Sequence, residues 1–124
     1  MDKFLKEYNG HKFDDWGYEC SRDFKAFARK FRRYLKRNLP VGYDIIGHIC
    51  GYYHICGFVR KEDSYIYYSY TWDRINKLDV YDGDFNDGSA VVARTTKDDK
   101  DYTGGLSHFT SIYRLPELIV ALSN

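Results

Sequence analysis

Four soft metal ligands fall within nine residues of this chain, His48, Cys50, His54 and Cys56, two from each copy of a repeated "HICG" segment. In number they suffice for a tetrahedral zinc site. The parity of the turn between them decides whether they can meet. A two-residue loop at Gly51-Tyr52 sets Cys50 opposite Tyr53 and His48 opposite Ile55, sending the two pairs to opposite faces of a sheet. A three-residue loop instead opposes Cys50 to His54 and His48 to Cys56. Zinc motifs in hairpins generally use C-x-x-C knuckles, which this spacing does not reproduce, and small thiols packed in a sheet are the simpler account. The sequence therefore assigns no metal and no cofactor.

A second cluster surrounds "KDDKDYTGGLSHFT" and offers Asp101, Ser107 and His108, with Arg94 and Tyr102 nearby. A Ser-His-Asp arrangement would have to be built on one loop, whereas working triads are assembled from separate elements. The chain has no phosphate-binding P-loop, no dinucleotide fingerprint, no H-E-x-x-H and no carboxylate cluster at metal spacing. The expectation is a protein without catalytic residues and without a small-molecule substrate. A small nuclease is the one activity to test against it.

The third pattern is cationic. Between Arg22 and Arg37 lie eight basic residues and one acid, Asp23, a local charge of +7 in a chain whose total is +1. Lys25, Arg29, Arg32, Arg33 and Lys36 stand at i, i+4, i+7, i+8 and i+11, which is one face of a helix. Like charges at these spacings repel by a few tenths of a kcal/mol per pair, and almost no acids offset them. A row of cations at helical pitch suits a phosphate backbone, where position counts for more than sequence. Arg22, Lys25, Arg29, Arg32, Arg33 and Lys36 are thus the first candidates for contact with nucleic acid or an acidic protein surface. A membrane-surface role fits less well, because Phe24, Phe27 and Phe31 are needed for the core.

These groups need elements to hold them. Phe24, Phe27, Ala28, Phe31, Tyr34 and Leu35 recur at helical spacing, opposite the cations, with Ser21 as cap, Asp23 in the first turn and Pro40 as stop. After Pro40 the period changes to two. "YDIIGHIC", "YYHICGFV" and "YIYYSYTW" read as three antiparallel strands, with "RKEDS" as the second turn and "SAVVART" as a short fourth strand. The acidic stretch from Asp73 to Ser89 is looser, and its part from Asp79 to Asp87 could present a second, nucleic-acid-like surface. Leu115, Leu118, Ile119 and Leu122 mark a short final helix, with Pro116 tolerated in its first turn. Residues 1–20 read as an irregular lead-in. The chain is expected to be one α+β domain over residues 1–124: a long amphipathic helix, a three- to four-stranded antiparallel sheet and a short C-terminal helix. This order is similar to the α-β-β-β-α arrangement of double-stranded RNA-binding domains, a likeness of fold and not of function. The 13 tyrosines and 8 phenylalanines fill a sheet core or mark a recognition surface. An odd set of three cysteines and the absence of an apolar N-terminal segment point to a cytoplasmic protein with reduced thiols, and no apolar run is long enough to span a bilayer.

The C-terminal third carries a resemblance. "VVARTTKDDKDYTGGLSHFTSI", preceded by the tyrosine-rich "YIYYSYTWDRI", resembles a group of small proteins and domains found on phages and conjugative elements of Gram-positive bacteria. Their shared feature is an "-RTA-" or "-RTT-" strand, a charged turn, "D-[YW]-T-G-G", three variable residues, then "F-T" or "Y-T". The matching positions here are Arg94, Thr95, Asp101, Tyr102, Thr103, Gly104, Gly105, Phe109 and Thr110. The likeness extends over roughly Ser21 to Leu122 but is specific only in the last third. This chain departs from the group in the histidines and cysteines of its first hairpin, and in "YSYTWDR" where "SISDVR" is more usual. Some members of the group are anti-CRISPR proteins directed at type II RNA-guided nucleases. The resemblance implies a non-enzymatic inhibitor in a bacterial host cell whose partner is such an effector, its guide RNA, or both. On physical grounds Gly104-Gly105 allows a tight reversal, Asp101 or Thr103 can accept backbone N–H groups, and Thr110 or Ser111 stands near a helix start. Lys97, Lys100 and Tyr102 are expected to project from this turn and join the contact surface.

Overall fold

The computed structural model describes residues 2–8, 11, 22–51, 54–71 and 91–124. The Ser21 cap, the remainder of the lead-in, the turn at 52–53 and the acidic segment 73–89 lie outside the described residues. Among those described, the order is α1 (Lys3–Tyr8), α2 (Arg22–Asn38), β1 (Asp44–Cys50), β2 (His54–Lys61), β3 (Ser64–Thr71), β4 (Val91–Thr96), β5 (His108–Thr110) and α3 (Leu115–Leu122). The protein is α+β, with a helix before the strands and a short helix after them.

The sheet has five strands rather than three or four, in the order β1-β2-β3-β4-β5 with every pair antiparallel. The additional strand is His108–Thr110, which pairs with Val91–Ala93. Three residues are too few to display an alternating pattern, so the segment after the glycines read as a direct passage into the final helix. The β2–β3 turn is tighter than "RKEDS" implies: Lys61 pairs with Ser64 across two residues, with Glu62 at φ 54°.

Part of the lead-in is also regular. Asp2 accepts the Phe4 amide at 2.8 Å, as an N-cap does, and Phe4, Leu5 and Tyr8 are buried along one side of α1. Two turns of helix are too short for periodicity to reveal. Phe4 fixes this helix by stacking at 5.2 Å on Tyr34 and 5.7 Å on Phe27.

Side-chain parity sorts the core into two clusters. On one face Phe24, Phe27 and Phe31 of α2 meet Tyr68 and Tyr70 of β3, with ring centroids 5.1 Å apart for Phe27–Tyr70 and 5.9 Å for Phe31–Tyr68. Ile112, Leu115 and Ile119 join the same cluster, so α2 and α3 share that face. The opposite face holds a smaller cluster of Cys56, Phe58 and Tyr67. Many of the aromatics therefore serve the interior.

Candidate functional site

The apolar stripe of α2 fixes where its cations go. With Phe24, Phe27, Phe31, Tyr34 and Leu35 against the sheet, Arg22, Lys25, Arg29, Arg32, Arg33 and Lys36 all stand exposed on the outside. Two further cations are drawn off by α1. Lys30 meets Glu7 at 2.8 Å and Arg37 meets Asp2 at 2.7 Å. The Glu7 carboxylate raises the Lys30 pKa, and the Arg37 guanidinium lowers that of Asp2. Such surface pairs add little stability. Their effect is to segregate charge: none of the six outward cations has an ion-pair partner among the described residues.

The flank of α2 that faces the edge strand β1 is more elaborate. Gly47, at φ +65°, lies where the β1–β2 register slips between Ile46 and Ile49, and His48 beyond it turns toward α2. His48 Nε2 donates to the Ala28 carbonyl at 2.9 Å, because a carbonyl can only accept. Its Nδ1 is then left to accept from the Tyr68 hydroxyl. Burial, opposed in part by the Ala28 bond, lowers the His48 pKa, so the ring is neutral at neutral pH. Tyr68 reaches His48 by crossing Gly57, its register partner, where any Cβ would lie 2.6 Å from the phenol oxygen. Beside this arrangement lies an open groove of about 370 Å³ lined by Lys25, Ala28, Arg29 and Arg32 of α2 and by His48 and Cys50 of β1.

The histidine–cysteine pairs part company by a register that neither simple loop supplies. Cys50 pairs with Ile55 and Ile49 with Cys56. His48 and Cys50 therefore face α2, whereas Cys56 joins Phe58 and Tyr67 on the other face. Among the described residues no group of three His, Cys, Asp or Glu side chains could hold a metal ion.

The turn after β4 lies on the face away from α2. Asp101 organises it, accepting the amides of Lys97 at 3.1 Å, Thr103 at 3.4 Å and Gly104 at 2.9 Å. These N–H groups, that of Lys97 foremost, hold its pKa below the usual carboxylate value. A Cβ on Gly104 would strike the Asp101 carboxylate, and one on Gly105, at φ +81°, would strike the Thr95 carbonyl. Arg94 lies 4.7 Å over the Tyr67 ring and donates to the Tyr102 carbonyl. Tyr102 is only half exposed, its ring edge-on to Phe58 at 5.3 Å and Tyr67 at 5.8 Å, so it is partly committed to packing. Lys97 and Lys100 are exposed. Ser111, not Thr110, reaches the start of α3, where its hydroxyl accepts the Arg114 amide at 3.3 Å.

The nine candidate contact residues thus form two groups, six along α2 and three on a turn across the sheet. Sequence reasoning weighed His48 and Cys50 as metal ligands against side chains packed in a sheet, and did not single out Ala28, Gly57 or Tyr68 as neighbours of the cationic row. The bulge that brings them together leaves only an isolated glycine in a strand as its trace. Asp101 makes no hydrogen bond to Ser107 or His108 among the described residues. No described helix is long and apolar enough to cross a membrane. Compared with family models, curated proteins and solved structures, the chain matches none.

Proposed function

We propose that this chain is a non-enzymatic inhibitor of the anti-CRISPR type from a mobile element, acting in the bacterial cytoplasm on a type II RNA-guided nuclease through its guide RNA. The observation that supports the reading is the segregated cationic face of α2, where Lys25, Arg29, Arg32, Arg33 and Lys36 stand exposed without carboxylate partners among the described residues. Five cations at helical pitch can follow a phosphate backbone, and binding of this kind would compete with loading of the guide into its effector. The class of target comes from the D-Y-T-G-G resemblance. Arg94, Asp101, Gly104 and Gly105 serve to hold the turn, so the motif supports a shared corner of the fold more directly than a shared contact surface.

Target cleavage by a purified type II effector tests this, with the protein added before or after the guide RNA. Inhibition only when it is added first, lost in Arg29→Glu/Arg32→Glu/Arg33→Glu, is the expected result. Inhibition in both orders that survives the charge reversal would transfer the role to another surface, such as the acidic segment 79–87, and would sink the guide-loading mechanism. The same α2 face favours a second reading, a general module for structured RNA or DNA. That reading predicts binding to unrelated duplexes with a log–log salt slope of about −4.5 for five neutralised phosphates, and no effect on the effector.

A further inference from the structure

We propose that the groove between α2 and β1 is a one-nucleotide pocket, taking an unpaired nucleotide of a single strand with its phosphate on Lys25, Arg29 and Arg32 and its base against Ala28, Cys50 and the ring of His48. The inference rests on the reading of α2 as a phosphate-binding face and narrows it from a polyanion to a particular ligand chemistry.

The lining is divided by chemical type. One wall carries three cationic side chains, and the remainder carries none. Ala28 contributes a methyl group, and the Cys50 thiol donates to the Gly51 carbonyl at 3.6 Å. Both nitrogens of His48 are engaged, Nε2 on the Ala28 carbonyl and Nδ1 on Tyr68, so the ring offers its carbon edge and π face rather than a donor or acceptor. An inorganic anion would satisfy the cations and leave this surface wet. An apolar ligand would leave the cations unused. A nucleotide joins an anionic end to a flat ring with apolar faces, and stacking on an aromatic side chain accepts any base.

Size and setting agree. The volume of about 370 Å³ lies near the lower end of the range for small-ligand pockets. A duplex keeps its base faces inside the stack and could touch only the rim. The floor is rigid, since His48 is held by two hydrogen bonds and lies edge-on to Phe31 at 6.0 Å. The groove lies along β1, the outermost strand of the sheet on that side, so it need not be closed by a further strand and a chain can run through it.

The test uses the whole protein with four probes: a non-self-complementary RNA hexanucleotide, the same sequence as a duplex, adenosine monophosphate and inorganic phosphate. Affinity is followed by fluorescence anisotropy for the RNAs and contact by amide NMR shifts for all four. The single strand should move the amides of Ala28, His48 and Cys50. Lys25→Glu and Arg29→Glu should each weaken it about tenfold or more, as loss of a charge-assisted contact does. Arg33→Glu makes the same charge change away from the groove and should weaken it only about threefold, by loss of general attraction. All three positions are exposed, so the variants should keep their fold. Equal binding of single strand and duplex, with the three groove amides unmoved, would overturn the pocket and leave α2 as a phosphate-binding face. Binding of neither RNA would overturn both readings. If inorganic phosphate reproduced the shifts caused by adenosine monophosphate, the base contact would be wrong. If adenosine monophosphate filled the groove and the hexanucleotide did not, the ligand would be a free nucleotide and not a strand.

Discussion

Gly57→Ala should cost more than its single methyl group implies. An ideal Cβ at this position would lie 2.6 Å from Tyr68 Oη, 2.9 Å from Tyr68 Cζ and 3.1 Å from His48 Cα. Relief is hard to find, because Tyr68 is fully buried, wedged against Phe31 at 5.9 Å and bonded to His48, while the third contact is backbone. Overpacking a filled core costs about 1–3 kcal/mol. Displacing the phenol also breaks a buried hydrogen bond and strands His48 Nδ1, a further ~1–3 kcal/mol. The combined loss, about 2–6 kcal/mol, is a large share of the ~5–15 kcal/mol that holds a domain together. Urea unfolding should show a lower midpoint at unchanged slope. Tyr68→Phe removes the atom that collides first, so Gly57→Ala/Tyr68→Phe should lose about 1 kcal/mol less than the two single changes together. A Gly57→Ala protein within ~0.5 kcal/mol of the parent, the range of an inconsequential surface change, would refute the close crossing of Tyr68 over β2. Strict additivity in the cycle would refute the collision as its cause.

Phe4→Ala should cost about 3–5 kcal/mol, since its ring is buried against Phe27 and Tyr34; denaturant unfolding measures this, and a loss below ~1 kcal/mol would show α1 to be dispensable. His48 has a folded pKa below the ordinary value of 6.5, so its contribution is intact above that pH and is lost as the pH falls through 6.5 toward the folded value. The imidazole C2 proton should titrate below pH 6.5, and His48→Gln should flatten the fall in unfolding free energy between about pH 7 and 5 relative to the parent. Gly105→Ala combines a left-handed φ of 81° with a collision against the Thr95 carbonyl, and should destabilise by about 2 kcal/mol or more, read as a lower thermal midpoint. Arg33→Glu places an acid among Arg29, Lys30, Lys36 and Arg37, and should raise stability by roughly 0.5–1 kcal/mol at low salt; a loss of stability would show that repulsion along α2 is not the cost inferred here.

Long-range periodicity made α2 legible over nearly its whole length, because six apolar residues at helical spacing leave one face for the sheet and the other for charge. The final helix was legible for the same reason, aided by Pro116 in its first turn. What escaped was short or depended on register. The helix at Lys3–Tyr8 and the strand at His108–Thr110 carry too few residues to establish a period. The cationic row could be read at the sequence level, since it needs only the helix. The groove beside it could not, since it depends on a bulge at Gly47 that turns His48 toward α2 and on an empty position at Gly57 that admits Tyr68. The D-Y-T-G-G segment was legible as a turn, and Asp101, Gly104 and Gly105 behave as such residues should; that Tyr102 packs inward on Phe58 depended on which face the turn folds over, which spacing does not encode.

The placement of carboxylates around α2 bears on what its charge is for. Salt bridges could have been distributed along the helix to relieve its repulsion, yet among the described residues the ion pairs of Asp2 and Glu7 are with Arg37 and Lys30. Those two cations also sit beside the rings that seat α1, Arg37 at 5.7 Å from Tyr34 and Lys30 at 5.6 Å from Tyr8. The pairing therefore follows the docking of α1, and α1 docks on the flank away from the groove residues. Lys25, Arg29 and Arg32, with no ion-pair partner among the described residues, repel one another at a few tenths of a kcal/mol per pair, beside a neutral histidine that sets no positive charge of its own against an incoming anion. A helix whose face served only solubility would have no reason to keep acids out of its own sequence from Phe24 to Arg37, because interspersed acids would serve as well and would stabilise it. A phosphate bound there would relieve the repulsion, so the free protein carries a cost that binding would remove, the energetic form expected of a surface kept for an anionic ligand.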